Sequence, residues 1–440
     1  MLHPDHLPGP TLLSRALARL EWIARVTGLA GIVMLLRVLP SVSRGGAKRP
    51  SRLPTRLPAV LGTLKGPFTK LGQLAAVRVD TLDTETRDAL VSLRDDVPAL
   101  SFWRIGQVIE QELGAPLARH FLAIDPTPLG AASIAQVHRA RLHDGRAVIV
   151  KVQYPWLKQS ARADLALLRR LLERLAPSER AGAAFAEFAR SYREELDFCR
   201  EAAMAAEIAA NLASDPRLVV PEIVASHSSE RVLTMLELPV LSLQDPEALA
   251  VRNIPMPEVL RAIVGAYAKQ MFVDGLFHAD PHPGNLFVID EPEAAQHPRV
   301  LFVDFGLSQR LDPELRKEVR QGIYALLKND LDAFLGGMER MKMIEPGAGP
   351  AVRNAVSAMF DRIRNEQGGA MAMSTDRVLA LKDEASALLF ETPGLTLPLP
   401  LLFYAKTLSY VFALGRELAP DVDLMKLAVP YLLRFLAERD

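Results

Sequence analysis

The sequence predicts an α+β fold arranged in two lobes. Its 440 residues are 49% apolar and 24% charged, which is ordinary usage for a folded protein with room for roughly two or three structural units. Alternating and β-branched residues on both sides of Asp144-Gly145 predict a β-hairpin within residues 133–154. After Pro255 the apolar spacing is mainly helical. We therefore expect a lobe that contains strands to precede a lobe built mostly of helices.

The residues before the lobes are predicted to form a helical extension in three parts. Residues 1–40 carry apolar side chains at helical spacing from Leu13 onward, with arginines on the opposite face, which predicts a basic amphipathic helix. Residues 41–58 are rich in Pro, Arg and Gly and are a predicted linker. Residues 59–114 complete the extension, with helices predicted at 58–78, 84–93 and 102–113.

The two lobes are expected over residues 115–240 and 241–440. The first would combine the hairpin with inserted helices, and the second would be mostly helical. Helices are predicted at 157–175, 181–212 and 257–274, and strands at 218–223, 231–236, 286–289 and 300–303.

The charges are balanced overall but unevenly placed. Lys and Arg total 52, as do Asp and Glu, and aromatic residues do not alternate with basic ones, so nucleic-acid binding is not expected. Residues 1–58 hold nine basic side chains against Asp5 and Glu21, an excess of seven positive charges. This basic segment could lie on an anionic membrane surface or pack on the body of the protein, and the sequence leaves both alternatives open.

The single cysteine, Cys199, excludes an intramolecular disulfide and any cysteine-clustered metal site, which favours a reducing, cytoplasmic location. Cys199 lies in the helix predicted at 181–212 and is expected to be a small core residue. No apolar run is long enough to span a membrane without interruption, and residues 395–412 are interrupted by Pro398, Pro400 and Lys406. A peripheral association with the inner face of a membrane remains compatible with this pattern.

Motifs in the second lobe indicate phosphoryl chemistry. The segment His278-Ala-Asp280-Pro-His-Pro-Gly-Asn285 is followed by a predicted strand and then by Asp304-Phe-Gly. A protein-kinase catalytic loop has the same order, with an Asp, an Asn five positions later and a metal-binding Asp-Phe-Gly after the next strand. Asp280 would lie at the attacking oxygen, while Asn285 and Asp304 would hold Mg²⁺ ions that neutralise the triphosphate of ATP.

Residues of the first lobe extend this pattern. Lys151, in Val148-Ile-Val-Lys, is similar to the strand lysine that contacts the α and β phosphates of ATP in kinases. Its glutamate partner is expected on the helix predicted at 181–212, where Glu195 and Glu201 are candidates. Six residues are about 1.7 helical turns, so these two glutamates cannot share a helix face and one of them has another role.

The loop before the hairpin differs from a Gly-x-Gly-x-x-Gly phosphate cover. It reads Leu129-Gly130-Ala131-Ala132-Ser133, so alanines replace most of the glycines. Backbone N–H groups can still meet phosphates there, while the Cβ atoms restrict the loop. Gly130, Ala131, Ala132 and Ser133, together with Glu237 in the segment that would join the lobes, are the predicted nucleotide contacts.

Together these residues resemble the UbiB/AarF family of atypical kinase-like proteins, over about residues 59–436. The matching motifs are the KxGQ element (Lys70, Gln73), the Ala-rich loop (Gly130 to Ser133), Lys151, the ExD element (Glu195, Asp197), Glu201, His278 to Asn285 and Asp304 to Gly306. The resemblance implies a bilobal protein-kinase-like fold with a helical N-terminal extension that binds ATP and Mg²⁺. It also implies that the KxGQ helix covers the site where a peptide substrate would bind, and that the ExD carboxylates help to position nucleotide and metal.

The activity that the resemblance implies is that of an ATP-dependent atypical kinase or ATPase. It would support isoprenoid-quinone (ubiquinone) synthesis or other lipid handling at a membrane surface, with a lipid or quinone precursor as a further ligand. A nucleotide-binding scaffold without turnover, and a true protein kinase whose Lys70 helix moves away, are the alternatives. The sequence departs from the family pattern in three places. Gly130 replaces a common alanine, which could alter nucleotide selectivity or permit more phosphoryl transfer, and no glycine follows the segment around Glu237, which leaves the adenine contacts open. The chain also stops at Asp440 without the transmembrane hairpin of the bacterial quinone-synthesis members, which weakens a direct assignment to ubiquinone synthesis.

The two histidines of the catalytic-loop motif could also suggest zinc. His278 and His282 are four residues apart, but Pro281, Pro283 and Gly284 forbid the helix that would direct both imidazoles to one ion. No zinc site is therefore expected.

Overall fold

The computed structural model describes residues 1–7, 25–29, 31, 65–68, 70, 99–175, 179–365, 388–389 and 391–438. The chain divides into two compact units. Unit 1 comprises Met1–Ala203 and Pro221–Leu238, and unit 2 comprises Met204–Val220 and Pro239–Asp440. Strands and helices occur in both units, so the predicted α+β class is confirmed.

The elements follow one another in this order. The strands are β1 (Phe121–Ile124), β2 (Gly130–Ala131), β3 (Ala135–Leu142), β4 (Ala147–Gln153), β5 (Leu218–Val219), β6 (Val232–Leu236), β7 (Val240–Ser242), β8 (Leu276–Phe277), β9 (Leu286–Ile289), β10 (Val300–Phe302) and β11 (Gln309–Arg310). The helices are α1 (Phe102–Leu113), α2 (Leu117–His120), α3 (Leu157–Leu175), α4 (Glu179–Glu195), α5 (Phe198–Leu212), α6 (Pro246–Val251), α7 (Met256–Ala268), α8 (Pro313–Leu327), α9 (Leu331–Arg340), α10 (Gly349–Asn365), α11 (Leu399–Leu418) and α12 (Leu424–Ala437).

Unit 1 is built on an antiparallel sheet. Its strand order is β1-β3-β4-β6, and β2 pairs with β3. The predicted hairpin is confirmed as β3 and β4, joined at Gly145, whose φ of 89° lies in the region that glycine tolerates best. Side chains alternate along β4, so Val148, Val150 and Val152 enter the core while Lys151 points to the opposite face. The strand thereby places one lysine at a defined position outside the apolar core.

The prediction of one continuous helix over 181–212 is wrong, because the chain forms two helices, α4 and α5, with a break between them. Asp197 causes the break: its Oδ1 accepts hydrogen bonds from the backbone N–H groups of Cys199 (3.0 Å) and Arg200 (3.4 Å), which caps the start of α5. Glu195 therefore ends one helix while Glu201 lies in the first turn of the next. Cys199 is exposed beside this cap, so its predicted place in the core is wrong as well.

The described part of the N-terminal segment packs on unit 1. Leu2 exchanges two backbone hydrogen bonds of 2.9 Å with Ile124 of β1, and Pro4–His6 form a short 3-10 helix. Residues 25–29 and 31, the described part of the stretch with helical spacing from Leu13 onward, are helical, and the rest of the helix predicted within 1–40 stays a prediction. Arg25 is buried, pairs with Asp164 of α3 and donates to Ser160 Oγ at 3.1 Å. Of the two alternatives for the basic segment, packing on the body holds for Arg25. The predicted linker at 41–58 and the helix at 84–93 lie outside the described residues.

Unit 2 combines a small mixed sheet with helices. The sheet has the order β5-β10-β9-β7, and β8 pairs with β11. The strand predicted at 218–223 is shorter, and the helix predicted at 257–274 ends at Ala268 and continues as a π-helical turn, Lys269–Asp274. The helices α8 to α12 follow the strands in sequence, as the helical pattern predicts. Within the described ranges, no helix has the length and apolarity needed to cross a bilayer.

Candidate active site

Lys151 and Glu201 form a buried ion pair in unit 1. The Lys151 ammonium donates to both carboxylate oxygens of Glu201, at 2.8 and 3.0 Å. The side chains are 13% and 3% exposed, so solvent screens the pair weakly. The pair fixes the direction of Lys151 on β4, which is the arrangement that a phosphate-binding strand lysine requires.

Glu195 binds a different lysine. Lys70, from the KxGQ element, donates to Glu195 Oε1, and both residues are buried. Glu195 and Glu201 thus serve separate lysines, as their spacing of six residues predicts, and the break after α4 also places them on different helices. Asp197 lies in this break, where it caps α5. Gln73, the other predicted residue of the KxGQ element, lies outside the described residues.

The segment just before Lys70 is attached to the Ala-rich loop. The Gly66 N–H donates to the Ser133 carbonyl at 2.7 Å, and the Lys65 ammonium lies 3.9 Å from the ring centroid of Tyr154. Gly66 has a φ of +63°, and a Cβ atom there would lie 2.8 Å from Leu157 Cδ2. Only glycine fits this close approach without displacing its neighbours.

The predicted nucleotide-contact residues of unit 1 have defined environments. Gly130 is exposed in β2, and a Cβ atom added to it would meet nothing within 4 Å, so its local structure does not require glycine. The Ala132 N–H donates to the Ala135 carbonyl, which closes a turn at the end of the loop. The Glu237 carboxylate accepts from Arg139 Nε at 2.6 Å. The Glu237 N–H donates to the Ala147 carbonyl at 3.0 Å, so the predicted contact of Glu237 with adenine would use its backbone carbonyl.

Asp280 is the centre of the polar cluster in unit 2. Asn285 Nδ2 donates to Asp280 Oδ2 at 3.1 Å and to its carbonyl at 3.2 Å, while Lys406 Nζ donates to Oδ1 at 3.1 Å. Burial of the Asp280 carboxyl would raise its pKa, but the charge and hydrogen bond of Lys406, followed by the charge of His278, bring this pKa below its ordinary value. Asp280 is therefore an oriented carboxylate at neutral pH.

His278 connects this loop to the Asp-Phe-Gly segment. One ring nitrogen shares a hydrogen bond of 3.0 Å with the Tyr267 hydroxyl, and the other shares one of 3.0 Å with the Val303 carbonyl. The ring also meets Phe305 edge to face at 5.2 Å. Both nitrogens have partners within the fold, so His278 has a structural role and is not a zinc ligand.

Asp304, which follows Val303, has an uncommon backbone conformation. Its φ of 63° and ψ of 75° lie in the left-handed region, where an aspartate is tolerated at some cost in conformational energy. The Val303 N–H donates to the Asn285 carbonyl at 3.0 Å, which ties the two segments together. Asp304 is exposed on the surface of unit 2, whereas the following Phe305 is buried.

The donor set of unit 2 fits a magnesium site of the kinase type. Asn285 makes its two hydrogen bonds to Asp280 through the amide nitrogen, so its amide oxygen is available as a metal ligand. Asp304 supplies a carboxylate as the second ligand. Mg²⁺ is commonly held by one or two protein carboxylates together with water and substrate phosphates. The described ranges contain no group of three or more His, Cys, Asp or Glu residues that could hold an ion without such phosphates.

Lys406 is the site residue that the sequence motifs do not identify. It lies on α11, 126 residues after Asp280, and matches none of the recognised elements. A signal does exist, because Lys406 is the one charged side chain in the apolar stretch at 395–412. A lysine in such a stretch is rarely buried without an acidic partner, although the sequence does not say which acid that is.

The chain has recognisable relatives. The family model described as the ABC1 atypical kinase-like domain matches residues 92–336. An uncharacterized protein of Synechocystis sp. is 29% identical over 84% of this chain and 62% of its own length. The protein ACTIVITY OF BC1 COMPLEX KINASE 7, chloroplastic, of Arabidopsis thaliana is 31% identical over 84% of this chain and 52% of its own. The chain thus spans less than two thirds of these curated relatives.

A solved structure also resembles the chain. It is the complex of Rv3197 with erythromycin from Mycobacterium tuberculosis, with 24% identity, a TM-score of 0.45, and coverage of 82% of this chain and 94% of that one.

The family model covers more than half of the 440 residues, and it includes Lys151, Glu201, Asp280, Asn285 and Asp304. The chain therefore belongs to the ABC1 atypical kinase-like family, in agreement with the UbiB/AarF resemblance of its motifs.

Proposed function

We propose that the protein is a Mg²⁺-dependent, ATP-using enzyme that hydrolyses ATP or transfers its γ-phosphoryl group. The observation that carries this proposal is Asp280, an ionised carboxylate held by Asn285 on one oxygen and by Lys406 on the other. A carboxylate oriented in this way can receive the proton of an attacking water or hydroxyl. A chain that only binds nucleotide has no need for it.

The other residues have complementary roles in this proposal. Lys151 would bind the α and β phosphates, and Glu201 would hold Lys151 in position. Asn285 and Asp304 would ligate Mg²⁺, which, when bound, neutralises phosphate charge. Gly130 to Ser133 and the backbone of Glu237 would contact the nucleotide. Lys70 and Glu195 would keep the KxGQ segment on unit 1, next to the Ala-rich loop that Gly66 contacts.

The physiological role that we propose is support of isoprenoid-quinone or other lipid metabolism at a membrane surface. It rests on the resemblance to the UbiB/AarF family, and the Arabidopsis relative carries the name ACTIVITY OF BC1 COMPLEX KINASE 7. The excess of seven positive charges in residues 1–58 favours contact with anionic lipid, although Arg25 is already paired with Asp164.

The test is release of phosphate from Mg-ATP by the native chain and by Asp304→Asn, with and without anionic liposomes. We expect the substitution to lower the rate about 100-fold or more, because it removes a charged metal ligand. Asp332→Asn is the matched control, since this aspartate also lies in unit 2 and its side chain is 80% exposed. Stimulation of the native rate by liposomes would support the lipid role.

Other outcomes would replace the proposal. If Mg-ATP stabilises the native chain against heat but no phosphate is released, the protein is a nucleotide-binding scaffold. If labelled phosphate is transferred to an added protein, a true protein kinase is the better description. If Asp304→Asn releases phosphate as fast as the native chain, the assignment of Asp304 to the metal is wrong.

A further inference from the structure

Lys406 reaches the catalytic loop from a distant part of the chain. Its side chain is 14% exposed and its ammonium lies 3.1 Å from Asp280 Oδ1. The other Asp280 oxygen accepts from Asn285, so the two oxygens have different partners. The catalytic loop thus receives a positive charge from α11, a helix that none of the sequence motifs includes.

The helix that carries Lys406 is firmly attached near the loop. Tyr404 is buried, and its ring meets Phe277 edge to face at 5.5 Å and Phe272 at 6.3 Å. Phe277 directly precedes His278 in the chain. The Lys406 ammonium also lies 5.3 Å from the Tyr410 ring centroid, one turn further along α11. A charged group on a packed helix keeps its position better than one on a mobile loop.

The loop itself offers no permanent cation. The residues between Asp280 and Asn285 are Pro281, His282, Pro283 and Gly284, without a lysine or arginine. A phosphoryl group in transfer carries negative charge on its equatorial oxygens, and a fixed positive group beside them lowers the barrier. An ammonium has three donors, so the bond from Lys406 to Asp280 leaves two for other acceptors.

We propose that Lys406 is a catalytic residue that donates hydrogen bonds to the transferred phosphoryl group while it keeps Asp280 in position. This inference rests on the proposed ATP-using function. In the reaction, the bond from the γ-phosphorus to the β–γ bridging oxygen breaks, and its electron pair leaves with ADP. A bond forms from phosphorus to the attacking water or hydroxyl oxygen, whose proton passes to Asp280 and then to solvent.

The competing explanation is that Lys406 only attaches α11 to the loop. The two roles differ in what they do to the transition state. If Lys406 has only a structural role, its substitution would lower stability and would weaken the binding of substrate, product and transition state to a similar extent. A catalytic role would mainly alter kcat and the binding of an analogue of the phosphoryl group in transfer.

The experiment compares native protein, Lys406→Met and Lys406→Arg in two assays: steady-state ATP hydrolysis, and affinity for ADP with and without aluminium fluoride, which mimics the phosphoryl group in transfer. We expect Lys406→Met to lower kcat about 100-fold and to weaken binding of ADP–aluminium fluoride by a similar factor. The KM for ATP and the affinity for ADP alone should change less than about threefold. Lys406→Arg should recover part of the loss, because it keeps the charge.

Lys426→Met is the matched control, because this lysine is also in unit 2, pairs with Asp423 and is 84% exposed; it should leave both assays unchanged. Native-like kcat and analogue binding in Lys406→Met would overturn the inference, as would equal losses for ADP and for the analogue. If Lys406→Met does not fold, Lys406→Arg is measured in its place. A larger loss of affinity for ADP–aluminium fluoride than for ADP alone supports the catalytic role, and equal losses overturn it. If the native chain neither hydrolyses ATP nor binds the analogue, the proposed function itself fails.

Discussion

The polar clusters of the two units are stabilised in different ways. In unit 1, Lys151 pairs with Glu201 and Lys70 with Glu195, so each lysine is matched by a buried glutamate. In unit 2, Asp280 is paired with Lys406 while Asp304 is exposed, and the loops are held by hydrogen bonds from His278 and Asn285. Loss of one partner in unit 1 leaves a buried charge, whereas Asp304 can change with little loss of stability. We therefore expect substitutions in unit 1 to affect folding most and those at Asp304 to affect chemistry most.

The largest effect on stability is expected for Lys151→Met. Glu201 is 3% exposed, and without Lys151 its charge stays buried without this partner. The free energy of unfolding should fall by about 3–5 kcal/mol, as measured by urea denaturation. The double variant Lys151→Met/Glu201→Gln is the control and should recover most of the loss while ATP turnover stays absent. A loss below about 1 kcal/mol in the single variant would show that the pair is effectively solvated.

A smaller effect is expected for His278→Phe in unit 2. Phenylalanine keeps an aromatic ring against Phe305 but removes the partners of the Val303 carbonyl and the Tyr267 hydroxyl. The Tyr267 hydroxyl is buried and loses its partner at a cost of about 1–3 kcal/mol, whereas the Val303 carbonyl is only part-buried and can bond to water, so the midpoint of unfolding in urea should fall by less than for Lys151→Met. His282→Ala is the matched control, because this exposed imidazole only accepts from the Gly284 N–H. Equal losses in the two variants would contradict the anchoring role of His278.

The smallest effect is expected at the break between α4 and α5. Asp197→Ala removes the cap of α5 and should lower the free energy of unfolding by about 1 kcal/mol, measured by the same denaturation. Asp197→Asn keeps an oxygen that accepts from the same N–H groups and should remain close to native. If the Asn variant is as unstable as the Ala variant, the charge of Asp197 matters more than its cap.

Much of the site could be predicted because its motifs are local. Asp280, Asn285 and Asp304 lie on short segments next to strands, and their spacing alone indicates their order in a kinase loop. The helix break at Asp197 was missed even though aspartate is a preferred capping residue, because the helical pattern continues on both sides of it. The spacing of six residues already predicts separate roles for Glu195 and Glu201, but it does not say that Glu201 pairs with Lys151 and Glu195 with Lys70.

The sequence by itself determined the hairpin, the position of Lys151 on its second strand and the order of the kinase-like motifs. These features follow from side-chain alternation and from residue spacing, which are local properties of a chain. The tertiary structure alone decided that Leu2 pairs with β1, that Arg25 is buried against α3 and that Lys406 reaches Asp280. These contacts join residues more than 100 positions apart, and no periodic pattern encodes which distant partner a buried charge or a strand edge will meet.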